Sequence, residues 1–185
     1  MPLTVCAISG SLRKASFNTA LLRAAVELAP PDVEIRIFDG LRDLPHYDAD
    51  LDGPNPPAPV VALKDAITSA DALLIATPEY NYSIPGALKN AIDWASRPAG
   101  KSPLNRKPAA ILGASTGLMG TVRAQLALRQ SLLFTETYVL MKPEVMVTRA
   151  ADKFDADGRL TDETTRGLVR QLLEALSTWT ARMRT

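Results

Sequence analysis

The feature that most constrains this chain is a regular exchange between short, almost wholly apolar runs and longer segments whose apolar residues recur every three or four positions. Leu3 to Ile8 is a run of the first kind. Closed by Ser9-Gly10-Ser11, it suits a strand buried on both faces. From Asn18 to Ala29 the residues Leu21, Leu22, Ala25, Val26 and Ala29 mark a helix, which Pro30-Pro31 stops. Val33 to Phe38 alternates apolar and charged residues and reads as a second strand near a sheet edge. Val60, Leu63, Ile67 and Ala70 mark a helix, and Ala72 to Ala76 an uninterrupted apolar strand. Pro85 opens the helix carrying Ala87, Leu88, Ala91, Ile92 and Ala95, in a first turn that tolerates its missing N–H. Ala109 to Leu112, Val122 to Leu133 and Tyr138 to Val147 continue as strand, helix and last strand. Leu168, Val169, Leu172, Leu173, Leu176 and Trp179 share one face of a closing helix.

Strand and helix in strict alternation imply a parallel sheet with right-handed crossovers and helices on both faces. Five strands in the order 2-1-3-4-5 fit best, giving a flavodoxin-like three-layer α/β sandwich. With 185 residues, no internal repeat and no linker, the chain is expected to be one domain over 1–185. Two segments fall outside the pattern. The proline-rich Asp39 to Pro59 is long enough to be functional or mobile; its Leu44-Pro45-His46-Tyr47 either folds over a site or, more commonly for such a segment, packs on the surface. Ala150 to Asp162 reads as a charged surface loop.

Lysine and arginine number 21 against 20 aspartates and glutamates, so no overall field exists to draw in nucleic acid or an anionic membrane. Neither is expected as a partner, and no run of about 20 apolar residues or leader pattern is seen. The only cysteine, Cys6, lies in the first apolar run, which excludes an intramolecular disulfide and suits a cytoplasmic chain. One histidine beside one cysteine leaves no basis for a structural metal site.

Ligands of open α/β sheets bind beyond the carboxyl ends of the strands, where strand order reverses. The loops after strands one, three and four meet there. In the first, Ser11, Ser16, Asn18 and Thr19 offer hydroxyls and an amide beside two cations, Arg13 and Lys14, with no acid among them, which suits an anion at a helix start, Arg13 being able to bind it in bidentate fashion. With one glycine it matches neither the dinucleotide fingerprint nor the triphosphate loop, so a terminal monophosphate is the better fit. An ordinary capped helix start would use similar residues. The second loop, Thr77 to Gly86, is a stiff shelf whose backbone and two tyrosines suit the edge of a flat heterocycle, unless the rings simply pack on the surface. The third, Gly113 to Gly120, is small enough for close approach of a ligand, though such turns also occur without function. Glu79 is a conceivable general base, but a solvated carboxylate at a helix start is the plainer expectation.

Gly10-Ser11-Leu12-Arg13-Lys14-Ala15-Ser16-Phe17-Asn18 and the segment Pro78 to Trp94 resemble the NAD(P)H-dependent FMN reductases, including bacterial chromate and quinone reductases. The likeness extends through Ser115-Thr116-Gly117 and Leu128-Arg129-Gln130 to Lys142-Pro143-Glu144. It implies FMN as cofactor and NADPH or NADH as electron donor. It also implies that Ser11, Arg13, Ser16, Phe17 and Asn18 surround the FMN phosphate, that Pro78, Glu79, Tyr80, Asn81 and Tyr82 border the isoalloxazine and ribityl, and that Ser115 meets the flavin from the third loop. Homodimers or homotetramers, with a neighbouring subunit closing the site, are implied too. Ala114 and Thr121 depart from the family's commoner third loop, where a hydroxyl and a second glycine are frequent.

On this reading no side chain is a catalytic nucleophile, because the flavin carries the chemistry. NAD(P)H gives hydride to flavin N5 and leaves; a quinone, azo compound, chromate or free flavin then takes electrons at the same face. The alternatives are a flavodoxin-like electron carrier that does not oxidise nicotinamide itself, and a non-redox domain binding a phosphate ligand.

Overall fold

The computed structural model describes residues 2–183. The elements run β1 (Leu3–Ser9), α1 (Phe17–Glu27), β2 (Val33–Phe38), α2 (Ala58–Ser69), β3 (Ala72–Ala76), α3 (Gly86–Ala95), β4 (Pro108–Ala114), α4 (Val122–Phe134), β5 (Tyr138–Val139), β6 (Val145–Val147) and α5 (Glu163–Met183). All pairings are parallel, and the sheet order is β2-β1-β3-β4-β5, with β6 also on β4. The expected flavodoxin-like order is therefore observed.

The period of two along each central strand divides the core. Val5 and Ala7 of β1, Leu74 of β3 and Leu112 of β4 face α1 and α5, while Cys6, Ile8, Leu73, Ile75 and Ile111 face α2, α3 and α4. Both faces are covered, which is why these strands read as unbroken apolar runs. Each fully buried leucine or isoleucine among them contributes roughly 1.5–3 kcal/mol. Burial pushes the Cys6 thiol up to about 11, with nearby Lys107 opposing the shift. The same burial lowers Lys107, whose Nζ donates to the Ala70 carbonyl at 2.5 Å.

The last strand is not one strand. Between the pairs Ala109–Val139 and Leu112–Val145, β4 advances three residues and its partner six, so three extra residues bulge out. Pro143 lies in the bulge, where it has no amide to give to a ladder. The described sheet thus has six strands rather than five.

Other expectations also shift. Val26 and Leu168, assigned inward faces by their spacing, are 43% and 37% exposed. Ala150 to Asp162 is not merely a surface loop: a short 3₁₀ turn and a bridge between Phe154 and Leu160 bring Ala150, Phe154 and Leu160 into the core. The long 39–59 connection holds two 3₁₀ turns, Gly40–Asp43 and Ala49–Leu51, and packs on α3. Trp94 Nε1 and Asn90 Nδ2 both donate to the Pro45 carbonyl at 2.8 Å, and Tyr47 meets the Trp94 ring edge-on at 4.9 Å. No described helix is long and apolar enough to cross a membrane.

Candidate functional site

The β1–α1 loop is shaped by side chains that accept hydrogen bonds from their own backbone. Ser16 caps α1, its Oγ taking the amides of Asn18 and Thr19 at 3.2 and 3.3 Å. Ser9 Oγ takes the amide of Ser11, and Ser11 Oγ that of Arg13. A serine that accepts from the chain in this way keeps its hydroxyl hydrogen to donate outward. For Ser11 and Ser16 the described residues supply no acceptor for that hydrogen, which makes both of them donors toward whatever enters. The Arg13 guanidinium lies 5.6 Å from the Phe17 ring centroid. A Cβ on Gly10 would press on Leu88 at 3.0 Å, so glycine here lets the loop lie against α3.

Asn18 does something its place in the loop does not suggest. Buried to 3% exposure, its Nδ2 donates to the Ala114 carbonyl at 3.0 Å and its Oδ1 accepts from the Ala114 amide at 2.9 Å. That pair of bonds ties the first loop to the end of β4 across 96 residues.

In the β3–α3 loop, Tyr80 and Ser83 exchange backbone hydrogen bonds at 3.0 Å around Asn81 and Tyr82, whose φ angles are 49° and 68°. Two consecutive left-handed residues make the tight turn that joins antiparallel strands, at a strain cost for tyrosine. Glu79 corrects the expectation of a solvated carboxylate: its side chain is 9% exposed and belongs to the start of α4. Its oxygens accept from the amides of Arg123 and Ala124 at 3.0 and 3.2 Å and from Arg123 Nε at 2.5 Å, and Arg123 Nη2 completes the ion pair. A carboxylate there offsets the positive end of the helix dipole. The hydrogen bond to Glu79 raises the Arg123 pKa further, and the same guanidinium stacks 3.7 Å from the Tyr82 ring centroid.

The third loop is less a flexible cradle than a packed floor. A Cβ on Gly113 would fall 2.0 Å from Thr121 Oγ1 and 2.5 Å from the Thr77 carbonyl, so that glycine serves protein packing. Thr121 sits at φ 70°, just before α4, and its buried Oγ1 accepts from Gln125 Nε2 at 3.2 Å. The glycine otherwise common at this position would take that backbone without strain. Ser115 Oγ accepts the Gly117 amide at 3.1 Å, the same arrangement as Ser11 and Ser16.

These loops enclose a cleft of about 310 Å³ at the carboxyl ends of β1, β3 and β4. Of the residues singled out from sequence, Ser11, Arg13, Ser16, Phe17, Asn18, Pro78, Glu79, Tyr80 and Ser115 line it. Asn81 and Tyr82 do not; they form the outward turn, and Tyr82 is 73% exposed. Ala114 and Thr116 join the lining, and Arg123 stands behind Glu79. Nothing local announced Arg123, since its partner lies 44 residues away. A smaller cavity of about 150 Å³ beside Cys6, between β2 and α2, contains none of the three loops' residues. Among the described residues no three histidine, cysteine or acidic side chains gather as a metal site. One end of the cleft can thus receive a phosphate through hydroxyl hydrogens and a guanidinium, and the other offers an apolar shelf of Pro78 and Tyr80.

The profile of the NADPH-dependent FMN reductase family matches residues 3–152. The chain is 50% identical to an NAD(P)H-dependent FMN reductase of Pseudomonas aeruginosa, over 98% of this chain and 97% of that protein. It is 40% identical to a 2-hydroxy-1,4-benzoquinone reductase of Burkholderia, over 97% of each. Among solved structures, the flavoenzyme NAD(P)H:acceptor oxidoreductase FerB of Paracoccus denitrificans superposes with a TM-score of 0.89 at 40% identity, covering 98% of both chains.

Proposed function

The chain belongs to the NADPH-dependent FMN reductase family, and from that premise we propose that its cleft holds FMN with the phosphate at the β1–α1 loop and that quinones are its electron acceptors. The family assignment already decides for an NAD(P)H-dependent FMN enzyme over an electron carrier. The observation that carries the placement is the set of hydroxyl hydrogens on Ser11 and Ser16 left free to donate, beside Arg13 and in a lining without a competing exposed acid. Glu79, the one carboxylate of the cleft, is neutralised by Arg123 and so does not repel a dianion.

Each residue then has a task. Ser11, Arg13 and Ser16 bind the phosphate through charge-assisted hydrogen bonds. Phe17 walls the entrance, and Asn18 holds the loop against Ala114. Pro78 and Tyr80 form the shelf for the flat rings, with Glu79 keeping that shelf on α4, Asn81 and Tyr82 extending it outward, and Ser115 donating from the opposite side. FMN held by these residues would supply the redox chemistry, hydride acceptance from the nicotinamide and electron transfer to the acceptor. One open face for donor and acceptor in turn calls for double-displacement kinetics. Initial rates against NAD(P)H and a benzoquinone should give parallel double-reciprocal lines; intersecting lines, or flavin that NAD(P)H does not bleach anaerobically, would contradict the reading. Azo compounds, chromate and free flavin are the further acceptors to assay.

A homodimer or homotetramer belongs to the same proposal. On α4, whose first turn holds Arg123, the residues Leu126, Leu133 and Phe134 are 58%, 77% and 79% exposed and share one apolar face. A second copy of the same helix fits such a face, because a two-fold interface is self-complementary. Light scattering on Leu133→Glu/Phe134→Glu should report a monomer where the unaltered chain is oligomeric.

A further inference from the structure

Beside the flavin cleft lies a second one of about 330 Å³, which shares Ser11 and Arg13 with it and extends between α1 and the end of β2. Four cations line this cleft, Arg13, Lys14, Arg23 and Arg42, against the single carboxylate of Asp39. For a chain of net charge +1 this is a concentrated local excess. Among the described residues none of the four takes part in an ion pair, although seven ion pairs form elsewhere. Arg42 is aimed by a hydrogen bond to the Leu12 carbonyl, and the hydroxyls of Ser9, Ser11 and Thr19 form part of the wall. Like charges gathered around a concavity repel one another and raise the local concentration of anions.

We propose that this cleft takes the ribose phosphate ester that distinguishes NADPH from NADH, and that Lys14, Arg23 and Arg42 thereby set the preference between the two donors. The proposal rests on the neighbouring cleft being the FMN site. This cleft is continuous with the flavin cleft through Ser11 and Arg13, so the adenosine end of a donor seated on the flavin can reach it, an acid there suiting the free diol and an arginine the phosphate. Here both types are present at that place, and the cations outnumber the acid. A dianion gains from three side chains that form no ion pair; Asp39 subtracts from that gain, as do Asp155 and Asp157, which border Lys14 and Arg23 on their other side.

Lys14→Gln/Arg23→Gln is the clean test, since both side chains are exposed and neither holds another part of the fold. In the flavin-loaded enzyme, kcat/KM with NADPH should fall about tenfold or more, and with NADH by less than about twofold. FMN affinity, followed by flavin fluorescence, should stay within about twofold, because the flavin phosphate keeps Ser11, Arg13 and Ser16. Asp39→Asn should move the donor ratio the other way. A second readout needs no turnover: calorimetric titration of the flavin-loaded protein with adenosine 2′,5′-bisphosphate and with ADP, where the preference for the bisphosphate should vanish in the double variant. Equal losses with both donors, or bisphosphate affinity indifferent to the substitutions, would overturn the proposal. So would inorganic phosphate binding that depends on Lys14 and Arg23 while the donor ratio stays put, which would mark a site for free phosphate. Should neither donor bleach the unaltered flavoprotein, the functional reading fails instead, and the bisphosphate titration still decides what this cleft binds.

Discussion

At the β1–α1 end of the cleft the polar side chains are braced against the fold, whereas the Tyr80–Ser83 turn at the other end stands out from it on one arginine. Ser16 caps a helix, Asn18 bonds twice to Ala114, and both are almost fully buried. Tyr82 is exposed, holds a left-handed φ of 68°, and leans on Arg123, which is held in turn by Glu79. Ser16 and Asn18 are set in place on folding, while Arg13 beside them stays exposed; preorganisation of the first two spares a ligand the entropy of ordering that part of its site. The second end is exposed and held by fewer contacts, which suits the proposed use of that face by donor and acceptor in turn.

Substitutions graded across the two ends should separate these roles. Gly113→Ala, at the floor between them, should be the most damaging, costing about 3 kcal/mol by urea unfolding, because the new methyl meets both Thr121 and the Thr77 carbonyl. Asn18→Ala should follow at about 2–3 kcal/mol, since it strands the buried Ala114 amide and carbonyl. It should also weaken FMN binding in a fluorescence titration. Glu79→Gln should cost only about 1 kcal/mol, the partner guanidinium being 33% exposed and able to find water. Its flavin affinity should nevertheless drop several-fold as the shelf loses its hold on α4. Smallest of all, Tyr82→Gly should leave the melting temperature nearly unchanged, the relief of a strained φ offsetting roughly 0.5–1 kcal/mol of lost stacking on Arg123. A Tyr82→Gly protein as unstable as Asn18→Ala would mean that the outward turn is a structural strut, and the contrast between the two ends would collapse.

Much of the architecture is legible in the sequence. The two-faced apolar runs, the helical spacing between them and the handedness of parallel crossovers lead to the order 2-1-3-4-5, because each signal is local or follows from a general rule of chain connection. The three loops of the cleft were legible for the same reason: they are the polar breaks after strands that must be neighbours. What each polar residue does inside those loops was not legible. Asn18 read as a phosphate ligand and is first a tie to Ala114; Glu79 read as solvated and is the buried anchor of Arg123; Gly113 read as room for a ligand and is room for Thr121.

The last strand and the second cleft teach the same lesson from the other direction. Proline 143 is visible in the sequence, but the three-residue bulge it occupies emerges only once both flanking segments pair with β4. Lys14 reads as one of the two cations of the first loop and Arg23 and Arg42 as unremarked surface cations, and the three become one cluster only where α1 passes the end of β2. Periodicity and breakers are properties of neighbours in sequence, so the sequence alone determined the helices, the first four strands and the order of the sheet. Partners 44 and 96 residues apart are chosen by packing, which is why the tertiary structure decided which side chains face the ligand and which hold the walls.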